Sequence, residues 1–328
     1  MTENEPAIRV RGLRKTYGAL TAVDGIDLDV HRGETFALLG PNGAGKSTTI
    51  EILEGYRTRT SGEVAVLGVD PARGDLDWKA RLGIVLQSTA EAAQMTVREQ
   101  LAHFAHFYPD PRPVDEVIEA VGLTAKAKTR IGKLSGGQRR RVDVALGIIG
   151  RPELVFLDEP TTGFDPEARR EFWQLIERLK REGTTILLTT HYLDEAARLG
   201  DRAGVILGGR LVALGAIDEL GGREARVPIV RWRDAAGVRH EQRTERPAEL
   251  VAAVVAAIGG EPAELEVIRP SLEDVYLELV GAAAGAESEP EASEPPEPEA
   301  SADPEASEPP EPEASADPEA SDIEGVRA

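Results

Sequence analysis

Thr35-Phe-Ala-Leu-Leu39 runs straight into Gly40-Pro41-Asn42-Gly43-Ala44-Gly45-Lys46-Ser47-Thr48. Five residues apt for a buried strand are followed by the pattern G-x-x-x-x-G-K-[ST] and then by a helical stretch, which is the context this pattern requires. Glycines let the backbone wrap closely enough for its N–H groups to face phosphate oxygens, and the head of the following helix adds partial positive charge. Lys46 is then expected to reach the β- and γ-phosphates of a nucleotide, with Ser47 as a magnesium ligand.

Working outward, residues 1–220 alternate short apolar strands with amphipathic helical patterns, the signature of a mostly parallel α/β sheet covered on both faces. The strand candidates are Thr35–Leu39, Ile84–Leu86, Leu154–Leu157 and Thr185–Thr189. Ile8 to Val30 alternates around a turn at Tyr17-Gly18 and predicts a small antiparallel sheet. The spacing of Leu101, Phe104, Ala105 and Tyr108 marks a helical subdomain over about 97–150. A second pattern, with strands at Val227–Trp232 and Leu265–Ile268 and helices at Pro247–Ile258 and Ser271–Leu279, predicts a small α+β accessory domain over 221–282.

Residues 283–328 form a tail, in which Glu291–Pro304 and Glu305–Pro318 are the same fourteen letters. Its Pro, Glu, Ala and Ser bury too little apolar surface to fold, so disorder is expected. The net charge of −20 belongs largely to this end: residues 287–328 hold 15 acidic residues and one Arg and contribute −14. The remainder is mildly acidic, which argues against a nucleic-acid partner despite the run Arg139-Arg140-Arg141, read as a solvated helix face with local phosphate or partner contacts. With no cysteine there is no disulfide, thiolate metal site or cysteine nucleophile. The N-terminus lacks the features of a cleaved leader. The longest apolar run, Leu250 to Ile258, has nine residues, against about 20 for a membrane-spanning helix.

Leu154-Val-Phe-Leu-Asp158-Glu159 sets two carboxylates at the C-terminal end of a buried parallel strand, where ligands bind in such sheets. Asp158 is expected to hold magnesium and Glu159 to polarise an attacking water. Ser135-Gly136-Gly137-Gln138 precedes a helix and by itself reads as a capping box. His103 and His106, three apart on a helix, are read as helix-surface or packing residues because no third metal ligand stands nearby.

Taken together in this order, the three motifs resemble those of ABC ATPases, a P-loop NTPase family, over residues 8–220. The resemblance implies an ABC cassette that hydrolyses ATP with Mg2+ and pairs head to tail, so that Ser135, Gly136, Gly137 and Gln138 close over the nucleotide of a second copy. It also marks Gln87 as the family's glutamine that senses magnesium, His191 as its switch histidine, Tyr17 as the aromatic on adenine and Asp165 in Thr161-Thr-Gly-Phe-Asp165 as a dimer contact. Phe164 departs from the family's usual Leu. The stretch SGGQRRRVDVALGIIGRPELVFLDEPTTGFDP and the late PSLEDVYLELVG look most like the ATPase subunits of daunorubicin-resistance-type (ABC-2 type) multidrug exporters. This implies a separate membrane permease and a place on the cytoplasmic face of the cell membrane. The competing expectation is an ABC ATPase that acts on ribosome, nucleic acid or protein partners without a permease. One cassette, no heptad stretch and no cysteine speak against it.

Overall fold

Strands β1 (Ile8–Tyr17) and β2 (Leu20–Val30) pair antiparallel across the two-residue turn at Gly18-Ala19. Ile8, Val10 and Leu13 all point inward although Val10 and Leu13 are three apart. A register shift between them, with Gly12 at φ +56°, restores the parity that a period of two would otherwise break. The computed structural model describes residues 5–85, 94–234 and 236–286, all within one compact unit. After β3 (Thr35–Leu39) and α1 (Lys46–Leu53), strand β4 (Ser61–Val66) joins the free side of β1, giving the order β2-β1-β4.

The next elements are α2 (Leu76–Ala80), β5 (Leu82–Val85), α3 (Val97–Ala105), α4 (Val114–Ala120), α5 (Gly136–Ile148), β6 (Leu154–Asp158), α6 (Pro166–Arg181), β7 (Thr185–Thr189), α7 (Leu193–Leu199), β8 (Arg202–Leu207) and β9 (Arg210–Ala216). The central sheet runs β5-β6-β7-β3-β8-β9, parallel except for the last pair. Its inner strands are continuous apolar runs because both faces are covered. Phe36 and Leu38 of β3 pack with Ile8, Val10 and Ile50 on one side, while Ala37 and Leu39 pack with Leu101, Val144 and Leu175 on the other. The strand expected at Ile84–Leu86 begins two residues earlier, and Leu86 lies outside the described residues. β8 and β9, which complete the sheet beyond β3, were not among the expected strands.

The remaining elements are α8 (Gly222–Ala225), β10 (Ile229–Arg233), β11 (Arg239–Arg243), α9 (Pro247–Ile258), β12 (Ala263–Ile268) and α10 (Leu272–Ala286), with a separate antiparallel sheet ordered β11-β10-β12. Helix α10 is capped at its start, where Ser271 N–H donates to Asp274 Oδ2 at 2.7 Å. It packs against α7 and β8, and Leu272 is part of the same apolar cluster as Leu199 and Val205. Among the described residues no helix is long and apolar enough to cross a membrane.

Candidate active site

The turn after β3 tolerates nothing larger than glycine at two points. Gly40 has φ +152°, and a Cβ there would lie 2.3 Å from the Ile206 carbonyl oxygen. Gly45, at φ +106°, would bring one within 2.4 Å of the Ala22 oxygen. Both backbone freedom and close approach therefore demand glycine, and the chain reaches the head of α1 in a tight wrap. Lys46 opens α1 and is 7% exposed. Its ammonium donates to the carbonyls of Gly40 at 2.8 Å and Pro41 at 3.0 Å. Burial holds its pKa below the ordinary lysine value, opposed by the charges of Glu159 and Asp158. Ser47 is exposed beside it and Thr48 half-buried.

Those two carboxylates stand at the carboxyl end of β6, separated from β3 in the sheet by β7 alone. Thr189, the last residue of β7, donates its hydroxyl to Asp158 Oδ1 at 2.5 Å. Its carbonyl and hydroxyl oxygens both accept from the Glu159 N–H at 3.1 Å. Glu159 sits at φ +46°, and its Oε2 lies 3.4 Å from His191 Nδ1. The His191 ring is backed by Tyr192, whose ring centroid is 4.0 Å away, and the Arg169 guanidinium lies 4.3 Å from the centroid of the Tyr192 ring. Lys46, Asp158, Glu159 and His191 thus gather from three segments at one edge of the sheet.

The other expected residues are placed as follows. Tyr17 ends β1, 39% exposed, with Lys15 4.9 Å and Arg57 5.5 Å from its ring centroid. Ser135 caps α5 as the capping box requires: its Oγ accepts from Gln138 N–H, and its own N–H donates to Gln138 Oε1, each at 3.2 Å. Gly136 and Gly137 form the first turn of that helix. Asp165 caps α6, accepting from Ala168 N–H at 2.8 Å. Phe164 packs edge-on against Phe172 with centroids 6.0 Å apart, which accounts for an apolar residue there. Gln87 lies outside the described residues. His106 Nδ1 meets the Ala102 carbonyl at 2.6 Å, and His103 packs edge-on with Phe107.

One reading needs correction. Arg140 does not share a solvated face with Arg139: it is 8% exposed and donates to the carbonyls of Asp158 and Pro160. The signal was available in the spacing, since Arg140, Val144 and Ile148 repeat every four residues and all three are buried. Glu54, at the end of α1, also went unread. It is 6% exposed, and burial, with the charges of Asp158 and Glu51 adding, pushes its carboxyl up to about 8. A carboxyl whose folded pKa is raised binds its proton more tightly in the folded state, so its stabilising share is present below its ordinary 4.5 and is lost as pH rises through about 8. Glu54→Gln is therefore expected to raise the melting temperature at about pH 9 and to change it little at about pH 4. Thermal scans of both proteins across that range check this, and an equal shift at both ends contradicts it.

The profile of a family described as ABC transporter matches residues 23–162. The daunorubicin resistance ATP-binding protein DrrA3 of Streptomyces coeruleorubidus is 36% identical over 84% of this chain and 96% of its own length. A Nod factor export ATP-binding protein I of Paraburkholderia xenovorans is 37% identical over 84% and 98%. Among solved structures, an ATP-binding subunit of an ABC transporter superposes with a TM-score of 0.63 at 23% identity, covering 84% of this chain and 99% of that one. A dimeric ATP-binding cassette in a post-hydrolysis state bound to ADP and Pi gives 0.59 at 23% identity, covering 64% and 98%.

Proposed function

This chain belongs to the ABC transporter ATP-binding proteins, and from that premise we propose that it powers a separate membrane permease, exporting drugs or other hydrophobic compounds, through ATP-driven closure of a head-to-tail homodimer. It is an ATP hydrolase. The observation that carries the reading is the gathering of Lys46 with Asp158 and Glu159 at the carboxyl edge of one parallel sheet.

In this reading Lys46 leaves the Gly40 and Pro41 carbonyls for the β- and γ-phosphates, which the backbone N–H groups of residues 43–48 cradle. Asp158 and Ser47, with Gln87, are the oxygen donors for Mg2+. A carboxylate and a hydroxyl suit that hard cation, and when bound it neutralises phosphate charge. Glu159 orients and polarises the attacking water, and His191, 3.4 Å from it, senses the γ-phosphate side. Tyr17 stacks on adenine once the neighbouring cations make room. Ser135, Gly136, Gly137 and Gln138 act on the nucleotide of a second copy, where the head of α5 offers N–H groups to the γ-phosphate. Asp165 contributes to the same interface.

Export is supported by the names of two relatives, one a resistance protein and one an export protein. Residues 221–282 serve as an accessory domain and 287–328 as a solvated tail, residues 283–286, expected in the tail, being the end of helix α10, with the chain held at the cytoplasmic face of the membrane by the permease. Truncation after Gly285 is expected to leave ATP turnover within about twofold, because the acidic repeat offers no packing surface. A larger loss would assign the tail a role in the cassette. Purifying the tagged full chain from detergent-solubilised membranes tests the whole reading. A stoichiometric polytopic membrane protein supports it, whereas ribosomal or only soluble companions overturn the transport part and leave the ATPase.

A further inference from the structure

Glu159 keeps a left-handed backbone conformation, φ +46°, that residues with a side chain seldom adopt. Such strain costs about 1–3 kcal/mol and persists only where surrounding contacts over-determine it. One hold comes from β7, through the Thr189 oxygens on the Glu159 N–H. The other comes from α5. Arg140 donates to the carbonyl of Asp158 at 2.5 Å and of Pro160 at 3.3 Å, with that of Glu159 at 3.5 Å. One planar guanidinium therefore spans three successive carbonyls of the turn, its donors held in a fixed fork where an ammonium offers three from one nitrogen. Val144 and Ile148, buried on the same helix face, fix where the fork lies.

We infer that Arg140 is a positioning residue for hydrolysis: it holds the Asp158-Glu159-Pro160 turn so that the Glu159 carboxylate keeps its aim, and it ties that turn to the helix headed by Ser135. The inference rests on the reading of Glu159 as the group that polarises water. It also goes further. In the head-to-tail dimer the head of α5 serves the second copy's nucleotide while Glu159 serves this chain's own, so Arg140 is a side-chain strut between the two sites.

The test is steady-state ATP hydrolysis by the full chain carrying Arg140→Met, Arg140→Lys, Glu159→Gln or the pair Arg140→Met/Glu159→Gln. Misaim of a reacting group by about 1 Å costs up to about a hundredfold, so Arg140→Met is expected to lower kcat by about tenfold or more with KM for ATP within about twofold. Arg140→Lys should recover part of that, and the pair should be no slower than Glu159→Gln alone, because the two changes remove one function. Wild-type kcat in Arg140→Met, a loss carried by KM alone, or a further loss in the pair overturns the inference. Should Arg140→Met fail to give a cooperative melt, Arg140→Lys decides: kcat reduced about threefold or more at constant KM supports the inference, and wild-type kcat overturns it. If Glu159→Gln itself turns over at the wild-type rate, it is the reading of Glu159 that falls.

Discussion

Glu159→Gln is expected to lower kcat for ATP hydrolysis by at least about a hundredfold while leaving KM for ATP within about threefold. The amide keeps the size of the side chain and its reach to His191, 3.4 Å away, but it accepts no proton and carries no charge. Its backbone, held by Thr189 and by the Arg140 fork, has no reason to move. What is lost is the pull on the attacking water, felt in the transition state more than in the bound ground state, so the loss belongs to kcat. ATP binding survives, and with it the stabilisation that a ligand confers on the folded state, about 2.7 kcal/mol when its concentration is 100 times Kd. A melting temperature that still rises with ATP, beside turnover near background, is the expected pair of results. Turnover at the wild-type rate would remove Glu159 from the chemistry.

Lys46→Ala is expected to have the opposite signature. A hydrogen bond to a charged group contributes about 1.5–3 kcal/mol, and the ammonium is placed to give more than one to phosphate. Kd for ATP should therefore rise by at least about tenfold, as read by titration with a fluorescent nucleotide. The thermal shift that ATP produces in Glu159→Gln should be absent at the same nucleotide concentration. The apo protein should also lose some stability, because the Gly40 carbonyl that Lys46 satisfies is buried, whereas Pro41 begins an exposed turn. Unaltered ATP affinity would place the phosphates elsewhere.

Three inner strands, β3, β6 and β7, were legible because burial on both faces leaves continuous apolar runs, and Thr35–Leu39 and Thr185–Thr189 occur at the expected residues; β8, also inner, went unread, its run being broken by Gly204. β4 and β9 escaped because edge strands keep polar faces. β4 has three exposed residues in a row and β9 alternates exposed with half-buried ones, patterns that need a partner strand to be recognised. The cap at Ser135 and Gln138 was legible because a local hydrogen-bond pair makes it, whereas the same arrangement at Thr96 and Glu99 went unread. Asp165 was read as a contact with a second copy, and its carboxylate has a second task, capping α6 within this chain, that the motif did not announce. Arg140 was misread by its neighbours in sequence, although its neighbours every four residues placed it inside.

By itself, the sequence determined where the glycine-rich turn with its lysine and the strand-end carboxylates lie. Each is a contiguous motif whose glycines, lysine and acids act through backbone geometry that a few adjacent residues already set. The tertiary structure decided what these pieces do to one another. The order β6-β7-β3 is not the order of the chain, so only parallel pairing across β7 brings Glu159 beside Lys46 and places Thr189 on the Asp158 carboxylate. The same packing turns Arg140 inward onto the β6 carbonyls. The Arg140 and Thr189 contacts join residues 18 and 31 apart along the chain, and their free energy is gained only when the helix and strands close together.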